Sequence, residues 1–152
     1  MIRKLALTGV AIAMVLGAGP ALAQAQKYRV LLASPKIVAF ANEPAGPPEA
    51  RTVTSFIMTA EPIEGVDVTL LRWTVNCTSQ MLTQDGGVAY LGTTRLRDMA
   101  SETPNGPEAS SSRPLFALVA NYACNGERRS AENAVFPGED AARAYGRKQF
   151  GQ

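Results

Sequence analysis

From Leu71 to Thr78 the side chains alternate without a fault: Leu71, Trp73, Val75 and Cys77 form one set, Arg72, Thr74, Asn76 and Thr78 the other. A period of two is that of a β-strand with one face buried and one face in water. Trp73 therefore points into a core, and Cys77 lies on the same side. Such a strand needs neighbours to take up its backbone hydrogen bonds, and the flanking sequence supplies them. Lys27 to Leu32 and Lys36 to Phe40 read as short strands or an extended entry segment, and Arg51 to Thr59 and Val88 to Leu96 as strands. Asn42 to Pro48, with three prolines and a glycine, reads as a loop, and Glu61 to Gly65 as a further break. Asp85-Gly86-Gly87 reads as a tight hairpin turn and Gly92 as a bulge in the returning strand. The simplest assembly is a β-meander.

After a polar stretch from Met99 to Ser112, read as a long loop, the period changes. Ser112-Arg113-Pro114 and Asn125-Gly126 are start and stop signals around the segment from Leu115 to Cys124. Leu115, Leu118, Val119 and Tyr122 would share a helical face. Phe116, Leu118, Ala120 and Tyr122 also alternate, so a strand stays open, although the caps and alanines favour helix. A second helix is expected over about 138–150. Glu139 and Asp140 stand at its start and Arg143, Arg147 and Lys148 later, the order that suits the helix dipole. Ala142, Tyr145 and Gln149 would give it little apolar area, so loose packing is expected. The fold class is α+β: a small antiparallel meander, one or two short helices and one disulfide.

The chain opens with Arg3 and Lys4, an apolar run from Leu5 to Leu16 and the small-residue sequence Ala21-Leu22-Ala23. That is the three-part pattern of a cleavable export signal over 1–23, leaving one exported domain over 24–152. Its apolar run is too short for a membrane span, which needs about 20 residues, and no later run approaches that length, so the mature form is expected not to span a membrane. With Arg3 and Lys4 removed, the mature part holds 13 basic and 13 acidic residues. Binding to nucleic acid, which requires clustered positive surface, is not expected. Arg95 with Arg97, and Arg128 with Arg129, read as solvated surface.

Cys77 and Cys124 are the only cysteines. In an oxidising compartment an even count points to a bridge, and only one intramolecular pairing exists. Closing a loop of about 48 residues stabilises a chain by up to about 4 kcal/mol in the chain-entropy picture. The chain has no histidine, so a Cys/His metal cluster is excluded and a cysteine nucleophile would lack its usual base.

Arg72 to Cys77 (RWTVNC), Tyr90-Leu91-Gly92, and a proline- and serine-rich entry into a segment closing at Cys124 together resemble the surface-adhesin protein E-like family of small exported bacterial proteins. The resemblance spans roughly 51–126. It differs at Asn76, where the family has Asp, and Ser110 to Ser112 stand beside the expected serine rather than on it. The resemblance implies a sheet with helical parts, a disulfide and a protein-binding role. The founding member is a lipoprotein, and this chain lacks the lipid-attachment cysteine, so periplasmic location is expected ahead of surface display.

Without histidine, catalysis would have to be built from Asp or Glu with Ser, or from Ser with Lys. Glu61 with Glu64, and Glu139 with Asp140, are the close acid pairs, and all four fall at turns or a helix start where solvated roles are ordinary. Ser110 to Ser112 lack the glycines of a nucleophile elbow. Gly86-Gly87 lacks the spacing of a phosphate-cradling loop. Tyr90 could be core or contact residue. No catalytic, cofactor or metal residues are assigned. The expectation is a non-enzymatic exported domain, adhesin-like and protein-binding, without cofactor. An inhibitor of a secreted hydrolase is the alternative, and an acid-only hydrolase ranks third.

Overall fold

The structure, a computed structural model, describes residues 26–152, so the expected export segment lies outside the described residues. Six strands run as an antiparallel meander: β1 (Tyr28–Ala33), β2 (Ile37–Asn42), β3 (Arg51–Ile63), β4 (Val66–Asn76), β5 (Met81–Leu91) and β6 (Thr94–Met99). Two short strands complete the sheet. β7 (Glu108–Ala109) pairs with the start of β5 on the edge that β6 uses further along, and β8 (Val135–Phe136) pairs with β1. Helix α1 (Pro114–Asn125) and helix α2 (Glu139–Gln149) lie against the sheet. The α+β meander with two helices and one disulfide is as expected from the sequence.

The segment that allowed either helix or strand is helix. Pro114 opens it, and Gly126, at φ 71, takes the left-handed position; its N–H donates to the Tyr122 carbonyl and the next N–H, of Glu127, to the Asn121 carbonyl. The stretch over 99–112 is not all loop, since it holds β7 and a single 3-10 turn at Ser110–Ser112. β3 continues through Glu61 and Pro62 to Ile63, and the chain reverses at Glu64 and Gly65, both with positive φ.

Asp85-Gly86-Gly87 is not a turn. β5 runs straight through it, and the reversal between β4 and β5 lies at 77–80, where Asn76 Oδ1 accepts the N–H groups of Thr78 and Ser79. The register explains the glycines. Trp73 pairs with Gln84 but Leu71 pairs with Gly87, so β5 spends one residue more than β4 between these pairs. That is a β-bulge, with Gly86 at φ 97. Gly87 has no room for a side chain: a Cβ would stand 2.2 Å from the Leu70 carbonyl oxygen. Nor is Gly92 a bulge within a strand. At φ 60 it forms the turn between β5 and β6, and its N–H donates to Asp67 Oδ1 at 2.8 Å.

Both faces of the sheet are apolar, and each helix covers one of them. Toward α1 point Ala39, Ala41, Val53, Leu71, Trp73, Val75 and Leu82, packed with Phe116, Val119 and Tyr122. Trp73 and Phe116 meet edge to face at 5.3 Å, and the Trp73 indole N–H donates to buried Ser55 Oγ at 2.8 Å. The Cys77–Cys124 disulfide ties the residue after β4 to the last turn of α1. Toward α2 point Tyr28, Val30, Val38, Phe40, Phe56, Met58 and Val68.

The expectation of loose packing for α2 is overturned, because small residues let the helix come close. Ala142 is fully buried, and a Cβ on Gly146 would stand 2.6 Å from Met58 Sδ. Tyr145 then reaches Phe136 and Phe40, at ring distances of 5.0 and 6.1 Å. Arg143 is buried as well. Its guanidinium lies 4.7 Å over the Tyr90 ring, donates to the Gly92 carbonyl at 2.8 Å and pairs with Glu139.

Two outcomes check this packing. Gly87→Ala should cost about 3 kcal/mol, the upper range for overpacking, because the added methyl meets backbone rather than a yielding side chain; an unchanged thermal midpoint would mean that the bulge is not where it is placed. The Tyr28 hydroxyl, 3% exposed as a residue, is pushed up to about 12 by burial, with Glu139 adding and Arg143 opposing. An unfolded tyrosine ionises near 10. The raised value thus contributes stability that is fully present below pH 10 and lost as pH climbs through about 12. Denaturation across roughly pH 9 to 12 should show that fall, and Tyr28→Phe should make it smaller, the raised Tyr122 and Tyr145 hydroxyls supplying what is left.

Candidate functional site

Helix α1 covers only part of its face. Above it the sheet continues as a row of paired residues, Ala39, Ile57, Thr69, Ala89 and Arg97, one from each of β2 to β6. Thr69 and Ala89, the smaller side chains in the middle of the row, keep it low there, and larger ones stand around them. Ile37, Ile63, Val66, Met99 and Leu115 form the walls of a groove of about 360 Å³, with Asp67, Arg97 and Glu102 at its polar margin. Ile63 is 65% exposed and Ile37 37% exposed. Isolated exposed apolar residues are ordinary, whereas here several are gathered around one hollow.

The bulge in β5 creates this hollow. Without the extra residue, Val88 and Tyr90 would follow Leu82 and Gln84 onto the α1 face and fill the groove. With it, Ala89 takes that face, and Tyr90 passes to the other side beneath Arg143. At the margin, Asp67 is held by the Gly92 N–H and Glu102 by Arg113 at 2.7 Å, whereas Arg97 has no side-chain hydrogen bond or ion pair among the described residues. β6 borders the groove and has no strand on its outer edge among the described residues. Arg95, Arg97 and Asp98 along it discourage indiscriminate strand addition.

No protein-family model, no curated protein and no solved structure matches this chain.

The residues singled out in the sequence fall elsewhere. Cys77 and Cys124 are joined at the far end of α1. The two acid pairs are not brought together: Glu61 and Glu64 sit exposed around the β3–β4 turn, while Glu139 and Asp140 form the first turn of α2. Glu139 is engaged by Arg143. Ser112 Oγ donates to Glu108 at 3.4 Å in the 3-10 turn. Trp73 is core, and Tyr90 is half-buried under Arg143. Arg95 pairs with Asp98 at 2.5 Å, and Arg97 and Arg129 are exposed. Among the described residues no cluster of three or more Cys, Asp or Glu could hold a metal. None of their helices is long and apolar enough to cross a membrane.

The groove residues themselves are not visible as a group in the sequence. Ile57 belongs to a run in which both alternating sets are apolar, Val53 and Ile57 against Phe56 and Met58. That pattern announces a strand buried on both faces. It does not announce that one face is left half open.

Proposed function

We propose that the chain is a non-enzymatic, exported protein-binding domain whose contact surface is the groove over Ile57, Thr69 and Ala89. The observation that carries this reading is an apolar hollow on a sheet whose other apolar surface is covered by helices. Its occupant is an extended segment of another protein, presenting apolar side chains to Ile37, Ile63 and Leu115 with an acidic residue alongside to meet Arg97. The disulfide supports an oxidising compartment, where such bonds persist. The export signal and the resemblance to the adhesin E-like family support the same assignment, with the periplasm ahead of the cell surface.

A photoreactive residue placed at Ile63 in the secreted protein should give a discrete adduct with a second protein in intact bacterial cells. The same residue at exposed Arg72, on the opposite face of the sheet, should give none. Adducts of equal yield at both positions, or none at Ile63, would remove the groove as the contact surface.

A further inference from the structure

A second concavity lies at the other end of α1, apart from the groove, and its character is electrostatic. Arg29 of β1 and Arg51 of β3 both point to the α1 face, since their strand partners Ala41 and Val75 belong to that core. There they meet Tyr122 and the residues after the helix, including Arg128, around a space of about 300 Å³. Glu43 is the one acid on its wall. The Tyr122 hydroxyl is pushed up chiefly by burial, and it feels all three nearby charges of Arg29, Glu43 and Arg128.

These three arginines come from positions distant in sequence, and none forms an ion pair among the described residues. Arg51 Nη1 donates to the Ala123 carbonyl at 2.8 Å, while its Nε is buried without a partner. Arg128 is steadied by the Glu132 carbonyl and the Asn133 side chain. Arg29 makes no side-chain hydrogen bond within the described fold.

The end of helix α1 does not account for so much charge. A helix C-terminus is worth roughly half a negative charge. Three of the carbonyls near that end are already taken, Tyr122 by the Gly126 N–H, Asn121 by the Glu127 N–H and Ala123 by Arg51. Three guanidiniums against one carboxylate and half a charge leave a surplus of about one and a half positive charges in one hollow.

We propose that this pocket binds a phosphoryl group carried as a dianion, with Arg29 and Arg128 as its direct ligands and Tyr122 donating its hydroxyl. A phosphate monoester carries about 1.5 to 2 negative charges near neutral pH, which matches the surplus, and guanidinium is the side chain best shaped to donate to its oxygens. A single carboxylate would leave the pocket positive. The group could arrive as free phosphate or on the head of a lipid, and the two sources separate experimentally.

The test uses the mature protein, without its signal, in chloride buffer. Inorganic phosphate is titrated by calorimetry. Sedimentation is then measured with phosphatidylcholine vesicles that do or do not contain phosphatidic acid. Saturable binding of inorganic phosphate, weakened at least tenfold by Arg29→Gln and again by Arg128→Gln, supports the pocket as a site for soluble phosphate; tenfold is the scale of one charge-assisted hydrogen bond. Binding only to vesicles with phosphatidic acid, lost in the same variants, supports the lipid source. No binding of either probe overturns the proposal, as does acetate binding as tightly as phosphate, or binding indifferent to both substitutions. Arg29 makes no side-chain hydrogen bond or ion pair among the described residues, and an unchanged circular dichroism melt of Arg29→Gln shows that a loss is local. Crosslinking from Ile63 is unaffected in these variants, so failure here leaves the groove standing.

Discussion

One extra residue in β5 decides how this small sheet is used. Alternation along a strand is strict, so an insertion at Asp85–Gly86 transfers every later side chain to the opposite face. Before it, Leu82 and Gln84 face α1; after it, Ala89 does, and Val88 and Tyr90 turn toward α2. The second helix depends on that exchange, because Tyr90 is the platform on which buried Arg143 lies. The groove depends on it too, because its floor is shallow-sided only where Ala89 has replaced larger residues. Gly87, with a carbonyl where its Cβ would be, keeps the two strands close at that point.

The remaining constraints act around this one. A sheet apolar on both faces must be covered twice, and two short helices do so from opposite sides. α1 is fixed by Trp73 and Phe116 at one end and by the disulfide and the Arg51 contact at the other. α2 is fixed by close approach, with Gly146 against Met58 and its aromatic neighbours closing the edge. Neither helix is long enough to cover a whole face of strands that reach 13 residues. An open area is the geometric consequence, and the apolar part of it is the groove.

Much of the fold was legible in the sequence, and the reasons for what was not are specific. The alternation around Trp73 marks its strand because polar and apolar sets separate cleanly there. The caps at Pro114 and Gly126 mark α1 because both residues are constrained in backbone geometry. Asp85-Gly86-Gly87 reads as a turn because glycine serves turns, bulges and close contacts alike, and only the register with β4 tells them apart. α2 reads as weakly packed because apolar area is counted from side chains, whereas Gly146 packs by lacking one. The groove and the arginine pocket join residues from four or more segments, so neither has a local signal.

The bulge sends Tyr90 to the α2 side and leaves the α1 side open. A nuclear Overhauser spectrum of the isotopically labelled protein over residues 24–152 tests it most directly. The Tyr90 ring should show cross-peaks to the Arg143 side chain, with none to Leu115 or Ile57. Cross-peaks from Tyr90 to Leu115 or Ile57, with none to Arg143, would place the ring in the groove and contradict both the bulge and the open groove that follows from it.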